Sequence, residues 1–207
     1  MGDTRWIDLN TLISRYGLKT YVETGTGTCV TLARSLEHPF ESLHTIDVDE
    51  GLLEAAKAQY GGDKRVTFYC DYSKNALPVI LDSIPPDPVL FFLDAHFPGA
   101  DYHRMSYSES ILTYKQDAFP LEHEVDIIVS GRDTSKDVFI IDDLILYEPD
   151  AAYDHVVWNG PYEYAHLQKE VGSQTNLQFF YDALAETHDF EKYTKDQGYV
   201  VALPKGV

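Results

Sequence analysis

Short apolar runs alternate with longer stretches of helical spacing along most of the chain. Thr20–Glu23, Leu43–Val48, Val66–Cys70, Val89–Leu93 and Val138–Ile141 are rich in β-branched and aromatic residues and read as strands. Between them, Cys29–Leu36, Glu50–Tyr60, Asn75–Ile84 and Leu121–Ser130 have helical spacing. In the second of these, Leu52, Leu53, Ala56 and Tyr60 share a face, Asp49 is placed to cap the start, and Gly61-Gly62 ends it. A leading helix, Leu9–Tyr16, stops at Gly17. Strands alternating with helices predict βαβ units, with a parallel sheet covered on both faces.

Near the C-terminus the pattern changes. Asn176–Thr187 reads as a helix, and Phe190–Thr194 and Tyr199–Leu203 flank the turn Lys195-Asp196-Gln197-Gly198. The expected fold is α/β and Rossmann-like: a mostly parallel seven-stranded sheet whose five parallel strands are closed by a C-terminal antiparallel hairpin. Residues 98–120 and 147–175 fit neither period. They are polar and aromatic, with Tyr102, Tyr107, Tyr114, Tyr147, Tyr153, Trp158, Tyr162 and Tyr164. Both follow a strand's C-terminal end, where open α/β sheets bind ligands, and insertions there serve as lids or binding segments.

At 207 residues and 44% hydrophobic content the chain is expected to form one domain with a substantial core. Its formal charge of −18, from 34 acids against 16 bases, argues against nucleic acid and anionic membranes as partners. No basic, apolar leader opens the sequence, and no apolar run is long enough to span a bilayer. Cys29 and Cys70 read as free thiols of a reducing compartment, and the chain as cytoplasmic.

The candidate chemistry lies at the strand ends. The first strand runs into Glu23-Thr24-Gly25-Thr26-Gly27, where glycines allow a ligand close to the backbone and the next helix offers unpaired N–H groups. The second ends at Asp47, suited to both hydroxyls of a ribose. The third ends at Asp71-Tyr72, the fourth at Asp94-Ala95-His96, and the fifth at Asp142-Asp143. Acids in such places also cap helices, the reading preferred for Asp49. Glu122-His123-Glu124 reads as a solvated helix start, and His155 and His166 as loop residues without chemistry.

The run Val22-Glu23-Thr24-Gly25-Thr26-Gly27 resembles the E-x-G-x-G motif of class I S-adenosylmethionine-dependent methyltransferases, and the likeness extends from about Leu18 to Leu203. It implies that Glu23, Thr24, Gly25, Thr26, Gly27, Asp47, Asp71 and Tyr72 bind S-adenosyl-L-methionine. Asp94-Ala95-His96 with Asp142-Asp143 is similar to sugar and small-molecule O-methyltransferases, several of which bind a divalent cation. By that likeness Asp94, Asp142 and Asp143 would hold Mg²⁺ or Mn²⁺, and His96 and Asp94 would be catalytic. His96 stands where those enzymes tend to carry a second Asp. The acceptor implied is a small molecule, a sugar or glycoside first. A nicotinamide-dependent oxidoreductase is the alternative, but it needs a third small residue in the glycine turn, where this chain has Val30. A nucleotide-binding module without catalysis is the other.

Overall fold

The computed structural model describes residues 4–148, 153–154 and 160–206. His155 and Trp158 lie outside them, as do the side chains of Tyr162 and Tyr164. Seven strands form one sheet: β1 (Thr20–Thr24), β2 (Ser42–Asp47), β3 (Val66–Cys70), β4 (Val89–Leu93), β5 (Val138–Ile141), β6 (His188–Tyr193) and β7 (Tyr199–Pro204). Their spatial order is β3-β2-β1-β4-β5-β7-β6. The first five run parallel, and β7 is antiparallel to both β5 and β6.

Side-chain alternation along β4 builds the two layers. Val89, Phe91 and Leu93 enter one core with Val22 and Phe139, under α4 (Ser73–Ser83), α6 (Leu121–Gly131) and α8 (Gln178–Leu184). Leu90 and Phe92 enter the other with Tyr21 and Ile140, under α1 (Leu9–Tyr16), α2 (Val30–Leu36) and α3 (Glu50–Tyr60). Every residue of β1, β4 and β5 is buried, as expected for central parallel strands.

Local chemistry sets the helix ends. Asp8 accepts the Thr11 N–H at the start of α1, and Gly17 closes that helix in the left-handed region at φ 64°. Asp49 caps α3 by accepting the Leu52 N–H. Stretch 98–120 holds a further helix, α5 (Tyr107–Tyr114), opened by a reciprocal capping box between Ser106 and Glu109. Stretch 147–175 contains α7 (Gly160–Glu170). Both cysteines are free, Cys29 buried and Cys70 exposed. Among the described residues no helix is long and apolar enough to cross a membrane.

The chain builds β1, β2 and β3 outward in one direction and then returns to place β4 on the far side of β1. Loops leaving β1 and β4 therefore part from each other at their C-terminal ends. The crevice left there is where open α/β sheets take ligands.

Candidate active site

The glycine turn sits at that crevice. Gly25 has φ 85°, and a Cβ there would lie 2.9 Å from the carbonyl oxygen of Asp94. Gly27 has φ 51°, and a Cβ there would lie 2.6 Å from the Tyr102 hydroxyl. Both positions need the left-handed region and closeness at once, which glycine alone supplies without strain.

Glu23 supports the turn from beneath. It is fully buried and accepts hydroxyl hydrogen bonds from Tyr21 (2.8 Å), Thr31 (2.8 Å) and Thr45 (2.6 Å). Burial raises its pKa to about 7, against the pull of those three donors. It is not among the residues that line the cleft, and its three hydroxyl partners tie α2 and β2 to the turn.

Thr24, Gly25, Thr26, Gly27, Asp47, Asp71 and Tyr72 do line one cleft, of about 100 Å³, together with Asp94 and His96. Asp47 Oδ2 accepts the Gly27 N–H and Oδ1 the Asp49 N–H, each at 2.9 Å. Burial pushes its pKa up. Each oxygen keeps a lone pair for a further donor. Asp71 Oδ1 accepts from the Tyr72 N–H (2.7 Å) and the Asn75 amide (2.8 Å), which fixes the entry to α4.

A strap from Phe97 to Met105 crosses the cleft. It contains three left-handed residues, Phe97, Gly99 and His103. Its root is anchored where Phe97 packs edge-on against Tyr107 and Phe119. Its far end reaches the β2 side, with Tyr102 over Gly27 and the Arg104 guanidinium paired with Asp49. Tyr107 donates to Asp101 at 2.7 Å. Sequence reading names Tyr102 only among the aromatic residues of stretch 98–120 and does not single out Asp101 or Arg104, because each acts through a loop path with no period.

The acids after β4 and β5 divide into two groups. Asp94, His96 and Asp143 converge: each offers a ligand atom, and these lie within 4.8 Å of one another. His96 Nε2 is 2.9 Å from Asp143 Oδ2, and Nδ1 is 2.9 Å from the Asp94 carbonyl oxygen. Both partners are acceptors, so both ring nitrogens carry protons and the ring is an imidazolium. Burial opposes that charge, but Asp143, Asp101 and Asp94 outweigh it and raise the His96 pKa to about 10. Against its own burial, Asp143 is held below the usual carboxylate range by the His96 ring.

Asp142 does not join this group. Its Oδ1 accepts the Asp143 N–H at 2.7 Å, and its Oδ2 is buried without a protein partner. Of the expected trio Asp94, Asp142 and Asp143, the structure gathers Asp94 and Asp143, with His96 beside them. The reason is backbone geometry: Asp143 lies at φ 50°, and successive residues there point different ways.

Glu124 corrects a second expectation. It lies on the apolar face of α6 with Leu121, Val125 and Ile128, is 1% exposed, and accepts the Thr24 hydroxyl at 3.3 Å. Burial raises its pKa to about 7. The signal was present in the spacing, since residue 124 falls three after Leu121 and four before Ile128. Among the aromatic residues of the two stretches, Tyr147 is buried, and Tyr153 packs over Gly198 and donates to the Glu148 carbonyl.

No family model matches the sequence, and no curated protein does. Solved structures do match in fold. The chain resembles an SAH-bound methyltransferase from Podospora anserina with a TM-score of 0.55 at 14% identity, over 97% of this chain and 76% of that one. It resembles a putative caffeoyl-CoA O-methyltransferase from Staphylococcus aureus with a TM-score of 0.51 at 12% identity, over 96% and 84%. A sugar N-methyltransferase from Streptoalloteichus aligns with a TM-score of 0.50 at 13% identity, over 97% and 90%. The chain has the Rossmann-like methyltransferase fold, with its mostly parallel seven-stranded sheet and C-terminal antiparallel hairpin. Identities this low define the fold alone.

Proposed function

We propose that the chain is an S-adenosyl-L-methionine-dependent O-methyltransferase of a small polar acceptor, with a sugar or glycoside hydroxyl foremost. The observation that carries this is the gathering of the glycine turn, Asp47, Asp71 and Tyr72 in one cleft at the crevice between β1 and β4. Asp47 would take the ribose hydroxyls, Asp71 and Tyr72 the adenine end, and the N–H groups of the turn the polar tail. The sugar N-methyltransferase among the structural neighbours is compatible with a sugar acceptor.

The reaction is an in-line displacement. The acceptor oxygen forms a bond to the methyl carbon, the carbon–sulfur bond breaks with its electron pair to sulfur, and S-adenosylhomocysteine and one proton leave. Asp94 is the group to accept that proton, because both nitrogens of His96 are already engaged. Burial raises the Asp94 pKa to about 8, against the pull of the His96 charge and with the help of Asp143, which makes its carboxylate a better base than a free one. His96, held by Asp143, then orients Asp94 and carries fixed positive charge beside it.

A divalent cation is a second reading, favoured by the convergence of Asp94, His96 and Asp143. These three would hold it in place of the ring proton that His96 carries. When bound, it would lower the pKa of the acceptor hydroxyl. Two oxygens and one imidazole suit Mn²⁺ at least as well as Mg²⁺.

Calorimetry with S-adenosylmethionine, S-adenosylhomocysteine and NADH, with and without Mg²⁺, tests the assignment. Binding of the first two in the absence of NADH binding is expected. Binding of NADH alone would support the oxidoreductase instead. Binding of neither class would overturn the nucleotide-cleft reading. Electron paramagnetic resonance of added Mn²⁺ checks the cation: a bound signal lost in Asp143→Asn supports it, and free Mn²⁺ alone removes it.

A further inference from the structure

The turn between β6 and β7 closes on the residues just beyond β5. Backbone bonds join the two: the Leu144 N–H donates to the Gly198 carbonyl and the Ile145 N–H to the Gln197 carbonyl, each at 2.9 Å. A second anchor lies at the neighbouring residue, where the Arg5 guanidinium and the Trp6 indole N–H donate to the Asp196 carboxylate at 2.8 and 2.7 Å. Between these anchors stands Gln197, only 9% exposed, whose Nε2 donates to Asp143 Oδ1 at 2.9 Å. Asp143 sets which way that amide faces, because a carboxylate offers only acceptors and the NH₂ end must meet it. The other end, Gln197 Oε1, is buried and receives no donor from the protein.

We propose, resting on the methyl-transfer reading given above, that Gln197 is a positioning residue: it fixes the Asp143 carboxylate, and Asp143 in turn holds the His96 ring beside Asp94. Asp143 divides its oxygens between the two, Oδ1 to Gln197 and Oδ2 to His96 Nε2, both at 2.9 Å. Its own N–H goes to Asp142 Oδ1 at 2.7 Å, which fixes the backbone at φ 50°. A group that orients a reacting residue does so when its own rotamer is locked by a further hydrogen bond, and Gln197 supplies that bond. The turn does not need the amide for its shape, since its bonds to Leu144 and Ile145 are made by backbone atoms. Burying an amide with one end unsatisfied is costly, and an aliphatic side chain would fill the same space without that cost. Asp143 is what the amide serves. With the Gln197 bond gone, the Asp143 carboxylate is free to rotate and the His96 ring loses its fixed partner.

The His96 ring itself reports on this arrangement, with no acceptor needed. In EDTA-treated protein near neutral pH, proton NMR is expected to show a downfield Nε2–H resonance of His96 that exchanges slowly with water and is absent in His96→Gln. Gln197→Met is close in size but has no donor. It should lose that resonance or speed its exchange about tenfold, the scale of one hydrogen bond to a charged group. Calorimetric affinity of the same variant for S-adenosylhomocysteine should stay within about twofold, because Gln197 does not line the cleft. An unchanged ring resonance in Gln197→Met, or its loss together with S-adenosylhomocysteine binding, would overturn the proposal. If Gln197→Met fails to fold, a high-resolution crystal structure of the wild type decides: an amide within hydrogen-bond distance of Asp143 supports the role, and one turned away removes it. Wild-type protein that binds neither S-adenosylmethionine nor S-adenosylhomocysteine would instead sink the methyl-transfer reading, an outcome distinct from an unchanged ring resonance.

Discussion

At the scale of single residues, the cleft was legible where a residue type has one physical use. Glycine at positive φ is such a case: Gly25 occupies it beside the Asp94 backbone, and Gly27 beside the Tyr102 hydroxyl. The place of Asp47 beside the glycine turn is legible because it ends the strand next to β1, where it lines the cleft and accepts the Gly27 N–H. Glu23 was half legible: its importance was, but the three hydroxyls that claim it come from β1, α2 and β2 and are joined only by folding. Asp47→Ala is expected to weaken S-adenosylhomocysteine binding by about 2–3 kcal/mol, roughly 30–150-fold, through loss of a paired acceptor. An unchanged dissociation constant in calorimetry would remove Asp47 from the ribose. Gly25→Ala forces a side chain into φ 85° against the Asp94 carbonyl. It should lower unfolding stability by about 1–3 kcal/mol in urea titration and loosen the cleft as well. Wild-type stability in that variant would mean the turn relaxes freely.

At the scale of elements, periodicity does best for short apolar runs and for helices with capping residues, whether the strand is central, as β4 and β5, or at the edge, as β3. β3, β4 and β5 fall at the bounds expected from their apolar runs, as do α1 and α3 with their caps. Stretch 98–120 was opaque as structure because α5 has a weak apolar face, although Ser106 and Glu109 carry the capping-box spacing. The path of the strap was not legible at all, since its conformation follows from Phe97 packing and three left-handed residues rather than from any repeat. Its place over the cleft predicts that it moves when a ligand enters or leaves. The Arg104–Asp49 pair holds its end, and the Arg104 side chain is about half exposed. An exposed pair contributes under about 1 kcal/mol. Arg104→Ala should therefore speed S-adenosylhomocysteine release only about two- to fivefold in stopped-flow measurements. High salt should speed the wild type toward the variant and leave the variant unmoved. Release rates that match at low salt would show that the strap is not held by this pair.

At the scale of the whole molecule, the acid excess and the buried carboxyls act together on stability. Burial raises Glu23 and Glu124 to about 7 and Asp137 to about 6, the last against its Arg132 partner. An acid whose folded pKa is raised binds more protons in the folded state. Its contribution is full below the unfolded value and is lost as pH rises through the folded one. Each of these groups acts between about pH 4 and 7, with an upper size of the order of 3 kcal/mol. His44 opposes them: burial lowers it to about 4, so its neutral folded form gains stability as pH rises toward 6.5. Burial lowers His38 and His188 as well, with the same sign, and above about pH 6.5 the effect of all three histidines is complete. His96, raised to about 10, adds a loss from there upward, because the Asp143 pair needs the charged ring. The net charge of −18 repels itself more strongly over the same range. Carboxylates held low by exposed partners, such as Asp63 with Arg65, act only in strong acid and are screened by solvent. Every term active between pH 6.5 and 9 thus has the same sign. Urea midpoints should fall steadily across that interval, and His96→Gln should flatten the upper part of the slope. A midpoint that rises from pH 6.5 to 9 would mean that the buried acids and the His96–Asp143 pair do not control the stability of the fold.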